Sequence, residues 1–181
     1  MTGAGAARAP QDAGRRAKGG SRLGRGEPQH RLALSVQFGV PAAGLPARST
    51  LRRWAASALE RDARVTLRFV GMAEGRRLNA RYRGKDYATN VLTFVYDTAV
   101  HDSPRDASPL AGDIVICVPV VRREARAAQR SLRAHCAHLV LHGMLHLQGH
   151  DHRRSADAAA MEARETALLR RLRYPDPYAA R

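Results

Sequence analysis

Residues Leu141 to His152 read LHGMLHLQGHDH, with four histidines in twelve positions. His142 and His146 are four apart, so on a helix their imidazoles leave one face a turn apart, placed to grip a single metal ion. Gly149 follows, and glycine readily takes the left-handed conformation that stops a helix and turns the chain. His152 comes three residues past that turn and can swing back toward the pair, with His150 as its rival for third ligand. Three histidines leave one tetrahedral position open, the mark of a catalytic rather than a structural zinc. Buried, hydrogen-bonded core histidines are the competing explanation. It fits a lone histidine better than three at this spacing around a glycine stop.

Neighbouring residues qualify the chemistry. His138, four before His142 and on the same face, reads as a ligand-orienting partner, a phosphate contact or a packing residue. Asp151 could orient a ligating imidazole or simply shape the turn. The spacing H-x-x-x-H-x-x-G-x-x-H is also that of zinc peptidases of the metzincin type. Those need a glutamate directly after the first histidine as general base, and here that position is Gly143. A metal-dependent hydrolase of another substrate is the better reading, and a zincin-like peptidase a weaker alternative.

The segment RGKDYATN suggests that substrate. Arg83 and Lys85 bracket Gly84, and lysine otherwise occurs only at position 18. A guanidinium clamps a phosphate through paired hydrogen bonds and stabilises charge developing on it, although a solvated turn also accounts for two cations.

The elements that must carry these residues follow from periodicity. LALSVQFGV, RVTLRFVG, VLTFVY and GDIVICV read as four strands, the last closed by Pro119. A helix capped by Ser49 or Thr50 places Leu51, Trp54, Ala58 and Leu59 on one face, with Trp54 in the core. A short helix spans about Glu74 to Tyr82 and ends at Gly84. Helices then run from Val120 to about Arg130, from a Ser131 cap over Leu132 to Gln148, and from Ser155 with Met161, Leu168 and Leu169 inward. The pattern predicts an α+β fold: one domain, a small mixed four-stranded sheet packed with helices. The metal site falls on a helix in the C-terminal half and the turn after it.

Composition sets the limits. The 181 residues carry 31 Lys plus Arg against 16 Asp plus Glu, a net charge of +15, which favours a polyanionic partner, although a bias toward arginine accounts for part of it. Residues 1–30 are Gly, Ala, Arg and Pro with almost nothing large and apolar, and read as a disordered basic tail before a domain over 31–178. Cys117 and Cys136 sit in apolar runs and read as free thiols of a reducing compartment. No apolar run approaches the roughly 20 residues of a membrane span, and there is no signal-peptide core. A cytoplasmic protein without membrane attachment is expected.

Taken in order, LNARYRGKDYATNVLTF, GDIVIC, AHLVLHGMLHLQGHDH, MEARE and YPDPY resemble the bacterial YbeY family of rRNA maturation factors, over about residues 32 to 178. The resemblance implies a zinc-dependent, single-strand-specific endoribonuclease acting in 16S rRNA 3′-end maturation and ribosome quality control. It implies one Zn2+ per chain on His142, His146 and His152, a catalytic role for Arg83, and single-stranded RNA, rRNA and ribosomal particles as partners. His150 departs from a tyrosine expected in many members. A non-catalytic ribosome-assembly factor with a structural metal is the alternative.

Overall fold

The computed structural model describes residues 30–96, 109–150 and 155–179. The N-terminal segment, Asp151, His152 and the end of the chain lie outside the described residues. In chain order the elements are β1 (Leu32–Phe38), α1 (Arg48–Ser57), β2 (Ala63–Val70), α2 (Met72–Arg83), β3 (Val91–Tyr96), β4 (Leu110–Cys117), α3 (Val118–Ala127), α4 (Leu132–Leu147) and α5 (Ser155–Arg171). The sheet order is β1-β2-β4-β3. β1, β2 and β4 run parallel and β3 pairs antiparallel with β4, so the sheet is mixed as expected.

Strand alternation explains which face is covered. In β1 the half-buried positions are Leu32, Leu34, Val36 and Phe38, with exposed residues between them. Register carries this face across the sheet, pairing Val36 with Leu67 and Leu67 with Ile114. Those side chains join Leu51 and Trp54 of α1, Leu141, Met144 and Leu145 of α4, and Met161, Leu168 and Leu169 of α5 in one core. Each large apolar side chain removed from water contributes about 1.5–3 kcal/mol. The helix α2 covers part of the opposite face, where Leu78 and Phe94 pack on Val70, Leu92, Val115, Cys117 and Val120.

The axis of the domain is α4. Nine of its sixteen residues are buried, from Cys136 to Leu147, because the sheet and the neighbouring helices enclose most of its circumference. Ser131 caps it by accepting from the Ala134 N–H at 3.1 Å. Two glycines let α4 approach the sheet. A Cβ on Gly143 would lie 2.8 Å from Ile114 Cγ2, and one on Gly112 of β4 would lie 2.4 Å from both Leu147 Cδ2 and the Phe94 carbonyl oxygen. The sequence reading and the structure differ mainly at element ends. The N-cap of α1 is Ala47 rather than Ser49 or Thr50, with no side-chain cap. Pro119, expected to close β4, sits in the first turn of α3, where its missing N–H costs nothing.

Candidate active site

Burial of α4 on three sides leaves one stripe for polar residues, and the histidines occupy it. Ring centroids step from His135 to His138 at 6.3 Å, to His142 at 6.2 Å and to His146 at 4.5 Å. His142 and His146 open into a cavity of about 810 Å³, walled by β3, the end of α2 and the turn after α4. Its lining includes Tyr82, Arg83, Thr89, Asn90, Phe94 and His150. Of the residues singled out from the sequence, the cleft therefore brings together Arg83, His142, His146 and His150, from segments about sixty residues apart. Lys85 is exposed just beyond this lining, and His152 lies outside the described residues.

Glu165 of α5 organises the histidine stripe from behind. It is fully buried. His142 Nδ1 lies 2.8 Å from Oε1, and His138 Nε2 lies 2.9 Å from Oε2. The Tyr178 hydroxyl donates to the same Oε2. Burial alone would push this carboxyl up, but the hydrogen bonds from His138, His142 and Tyr178 prevail and hold it down at about 2. It is thus a carboxylate that accepts from both imidazoles and the phenol. Burial and the bond to Glu165 in turn push the Tyr178 hydroxyl well above its ordinary value. His138 is thereby a partner of the site carboxylate rather than a phosphate contact, and its Nδ1 is buried with no partner among the described residues.

The donor set fits a metal ion. Ligand atoms of His138, His142 and Glu165 lie within 4.8 Å of one another and could hold one. The neighbouring pair His142 and His146 offers a second arrangement, in which Glu165 orients His142 instead of ligating. Gly143 faces Ile114 and the sheet, so a side chain there would point away from the cleft. This removes the position a metzincin-type base would occupy.

The cationic wall is fixed by its own local structure. Gly84 ends α2 at φ +66, and its N–H donates to the Ala80 carbonyl at 3.1 Å. Asn79, 1 % exposed, donates through Nδ2 to the Tyr87 carbonyl at 2.7 Å and ties down the RGKDYATN turn. Arg76 pairs with Asp86 across the same turn, with N–O distances of 2.6 Å. Arg83 itself is exposed and has no acidic partner among the described residues. On the far wall Asn90 accepts from the Val91 N–H at 2.7 Å and donates to Glu124 at 3.0 Å.

His150, the rival for third ligand, is half-buried, with Nε2 2.9 Å from Glu60 Oε2, while Arg164 holds the other oxygen at 3.0 Å. The turn after α4, where Gly149 takes φ +94, is so fastened to α5 and to the segment after α1. Sequence reasoning missed Glu165, Tyr178, Asn79 and Glu60 as site residues. Glu165 and Tyr178 do fall inside the blocks MEARE and YPDPY, where a buried acid on an otherwise inward-facing helix position was the available signal.

An α+β domain with a histidine-lined cleft on one buried helix, faced by an arginine that has no acidic partner among the described residues, is consistent with a metal-dependent hydrolase. The family model described as Endoribonuclease YbeY matches residues 47–173, and the chain belongs to that family. An Endoribonuclease YbeY of Aromatoleum aromaticum is 56% identical over 152 residues, covering 82% of this chain and 94% of its own length. That of Nitrosomonas eutropha is 50% identical over 145 residues, covering 80% and 97%. The Azoarcus protein is 57% identical over 151 residues, and the match spans 60% of that longer chain. Among solved structures, the solution structure of TM1509 from Thermotoga maritima matches with a TM-score of 0.48 and 21% identity, over 81% of this chain and 99% of that one.

Proposed function

We propose that this chain is a zinc-dependent, single-strand-specific endoribonuclease that acts in 16S rRNA 3′-end maturation and ribosome quality control. Its partners are then rRNA and ribosomal particles in the cytoplasm. The relatives named Endoribonuclease YbeY supply RNA as the substrate. The observation that carries the mechanistic part is the shared cavity: His142 and His146 stand on one wall and Arg83 on another. A cation and a metal-ligating pair facing one space suit a phosphodiester better than a peptide. Among the described residues no helix is long and apolar enough to cross a membrane.

His142, His146 and His152 would hold the zinc. Glu165 accepts from His142 Nδ1 at 2.8 Å, which suits it to the role of the group that orients that imidazole. With Nδ1–H donated to Glu165, the ring presents Nε2 as its ligand atom. The metal, when bound, supplies Lewis acidity at the phosphodiester. Arg83 grips a phosphate oxygen and offsets the charge that grows there. The His150–Glu60–Arg164 linkage holds the turn that leads to His152.

The test is metal-quantified protein incubated with single-stranded RNA, beside His142→Ala. Cleavage by the wild type, lost in the variant, supports the reading. Zinc binding without cleavage would favour a non-catalytic assembly factor. The two ligand sets separate by metal content: His146→Ala should lose most of the zinc and His138→Ala should keep it, and the reverse would assign the metal to His138, His142 and Glu165.

A further inference from the structure

We propose that Tyr82, braced by Phe94, is a base-stacking platform at the mouth of the cleft, holding an unpaired base beside the phosphate gripped by Arg83. The proposal deepens the RNA-cleaving reading and rests on it.

Tyr82 is 56% exposed although it lines the cavity wall. Its ring meets that of Phe94 edge-on, with centroids 4.9 Å apart and planes at 66°. Phe94 is itself half-buried on β3, so the phenol ring rests on the sheet rather than swinging in solvent. The backbone beneath it is equally fixed, by the Gly84 cap and the Asn79 and Arg76 links across the turn. An aromatic surface held in place this way stacks on a base with little further ordering cost.

The surroundings point to nucleic acid rather than to an apolar ligand. The Arg81 guanidinium lies 5.4 Å from the centroid of Tyr82. Arg83 and Lys85 follow directly, both exposed. Exposed aromatic rings interleaved with cations along a groove are how proteins hold single strands: the cations follow the backbone and the ring takes a base face. In a duplex each base already has neighbours on both faces, so this contact is open only to a base outside a helix. A strand with its phosphate on Arg83, facing the His142–His146 wall, has its adjoining base within reach of the preceding residue. The device therefore selects single strands without reading their sequence.

A purely structural role for Tyr82 as a cover for Phe94 makes a different prediction, and Tyr82→Leu separates the two, since leucine keeps an apolar cover and lacks the π-face. The probe is a short single-stranded 2′-O-methyl phosphorothioate oligonucleotide, resistant to cutting, carrying 2-aminopurine at successive positions. On the metal-loaded wild type, an oligonucleotide trimmed to the length of the site, and so held in one register, should show fluorescence quenched at one position, the one that stacks. Tyr82→Phe should keep the quench and the affinity. Tyr82→Leu should lose the quench and bind about tenfold more weakly, at an unchanged melting temperature. An abasic residue at that position should weaken wild-type binding by a similar factor and leave Tyr82→Leu binding unchanged. The proposal is overturned if Tyr82→Leu binds and quenches like wild type, or if the two losses multiply. Wild-type protein that neither binds this oligonucleotide nor cuts its unmodified form would sink the RNA reading of the cleft along with the platform. Binding by the wild type that Tyr82→Leu leaves untouched sinks the platform alone.

Discussion

Glu165→Gln changes one atom of the buried carboxylate and tests whether that group sets the state of the histidine face proposed to hold the metal. The wild-type carboxylate takes three donors, His142 Nδ1 on one oxygen and His138 Nε2 with the Tyr178 hydroxyl on the other. Glutamine offers one oxygen and one NH2, so only two orientations exist. If the oxygen stays toward His142, the NH2 faces His138, whose Nε2 must then accept. That moves the His138 proton to Nδ1, which is buried without a partner among the described residues, at a cost of about 1–3 kcal/mol. If the NH2 turns toward His142, Nδ1 must accept there, and the proton moves to Nε2, the atom proposed for the zinc. The first orientation costs stability and the second costs affinity. Outer partners of this kind are worth about 10–100-fold in metal affinity, or roughly 1.4–2.7 kcal/mol. We expect Glu165→Gln to lose zinc affinity in that range, measured by competition with a chromogenic chelator, together with a lower melting temperature of the metal-free protein. Glu165→Ala should be worse, because it leaves all three donors without their acceptor. Wild-type zinc affinity and melting temperature in Glu165→Gln would refute the orienting role and leave Glu165 as filler between α4 and α5.

Other outcomes follow from the same geometry. Arg83→Ala should keep zinc content and melting temperature nearly intact while RNA cleavage falls about a hundredfold, and Arg83→Lys should restore little; an unchanged rate removes Arg83 from the mechanism. His152→Ala should lose zinc by elemental analysis whereas His150→Ala should keep it, and the reverse result would exchange their roles. Gly112→Ala should destabilise by about 1–3 kcal/mol or more in urea unfolding, since one of its 2.4 Å clashes is with the Phe94 backbone, which cannot rotate away. Asn79→Ala should lower cleavage more than zinc content, because it releases the turn after Arg83 and leaves the ligand helix untouched.

The sheet and the helices were legible because their period is strong. VLTFVY coincides with β3 over Val91–Tyr96, and the Ser131 cap starts α4 where expected. Helix ends were less so, since Arg48 to Thr50 join α1 without a capping side chain. The histidine face was legible from spacing on one helix. What sequence could not supply is the partner of each histidine. Glu165 lies 23 residues from His142 and Glu60 lies 90 from His150, distances set by how α5 and α1 pack and by no local pattern. The same holds for Gly143. Its place in the motif spoke against a peptidase by lacking a side chain. The packing gives the stronger reason, that the position faces Ile114 and not the cleft.

Burial of α4 and chemistry at its surface are one arrangement. A helix enclosed on most sides is a rigid mount, and the two glycine contacts at Gly143 and Gly112 set how close it sits to β4. Its polar stripe is consequently narrow, and every histidine on it from His135 to His142 is backed by a carboxylate from another element, Glu124 of α3 or Glu165 of α5. By contrast, Arg83 and Tyr82 stand at the end of α2, beside a turn held by one side-chain-to-backbone bond and an exposed ion pair. On the proposed function, the site combines a rigid wall for the metal, where ligand geometry tolerates little error, with a more exposed wall for an RNA strand of variable sequence. Damage to the two walls should therefore separate experimentally: α4 and α5 variants through metal retention and unfolding together, and variants of the α2 turn through RNA binding and cleavage with the metal still in place.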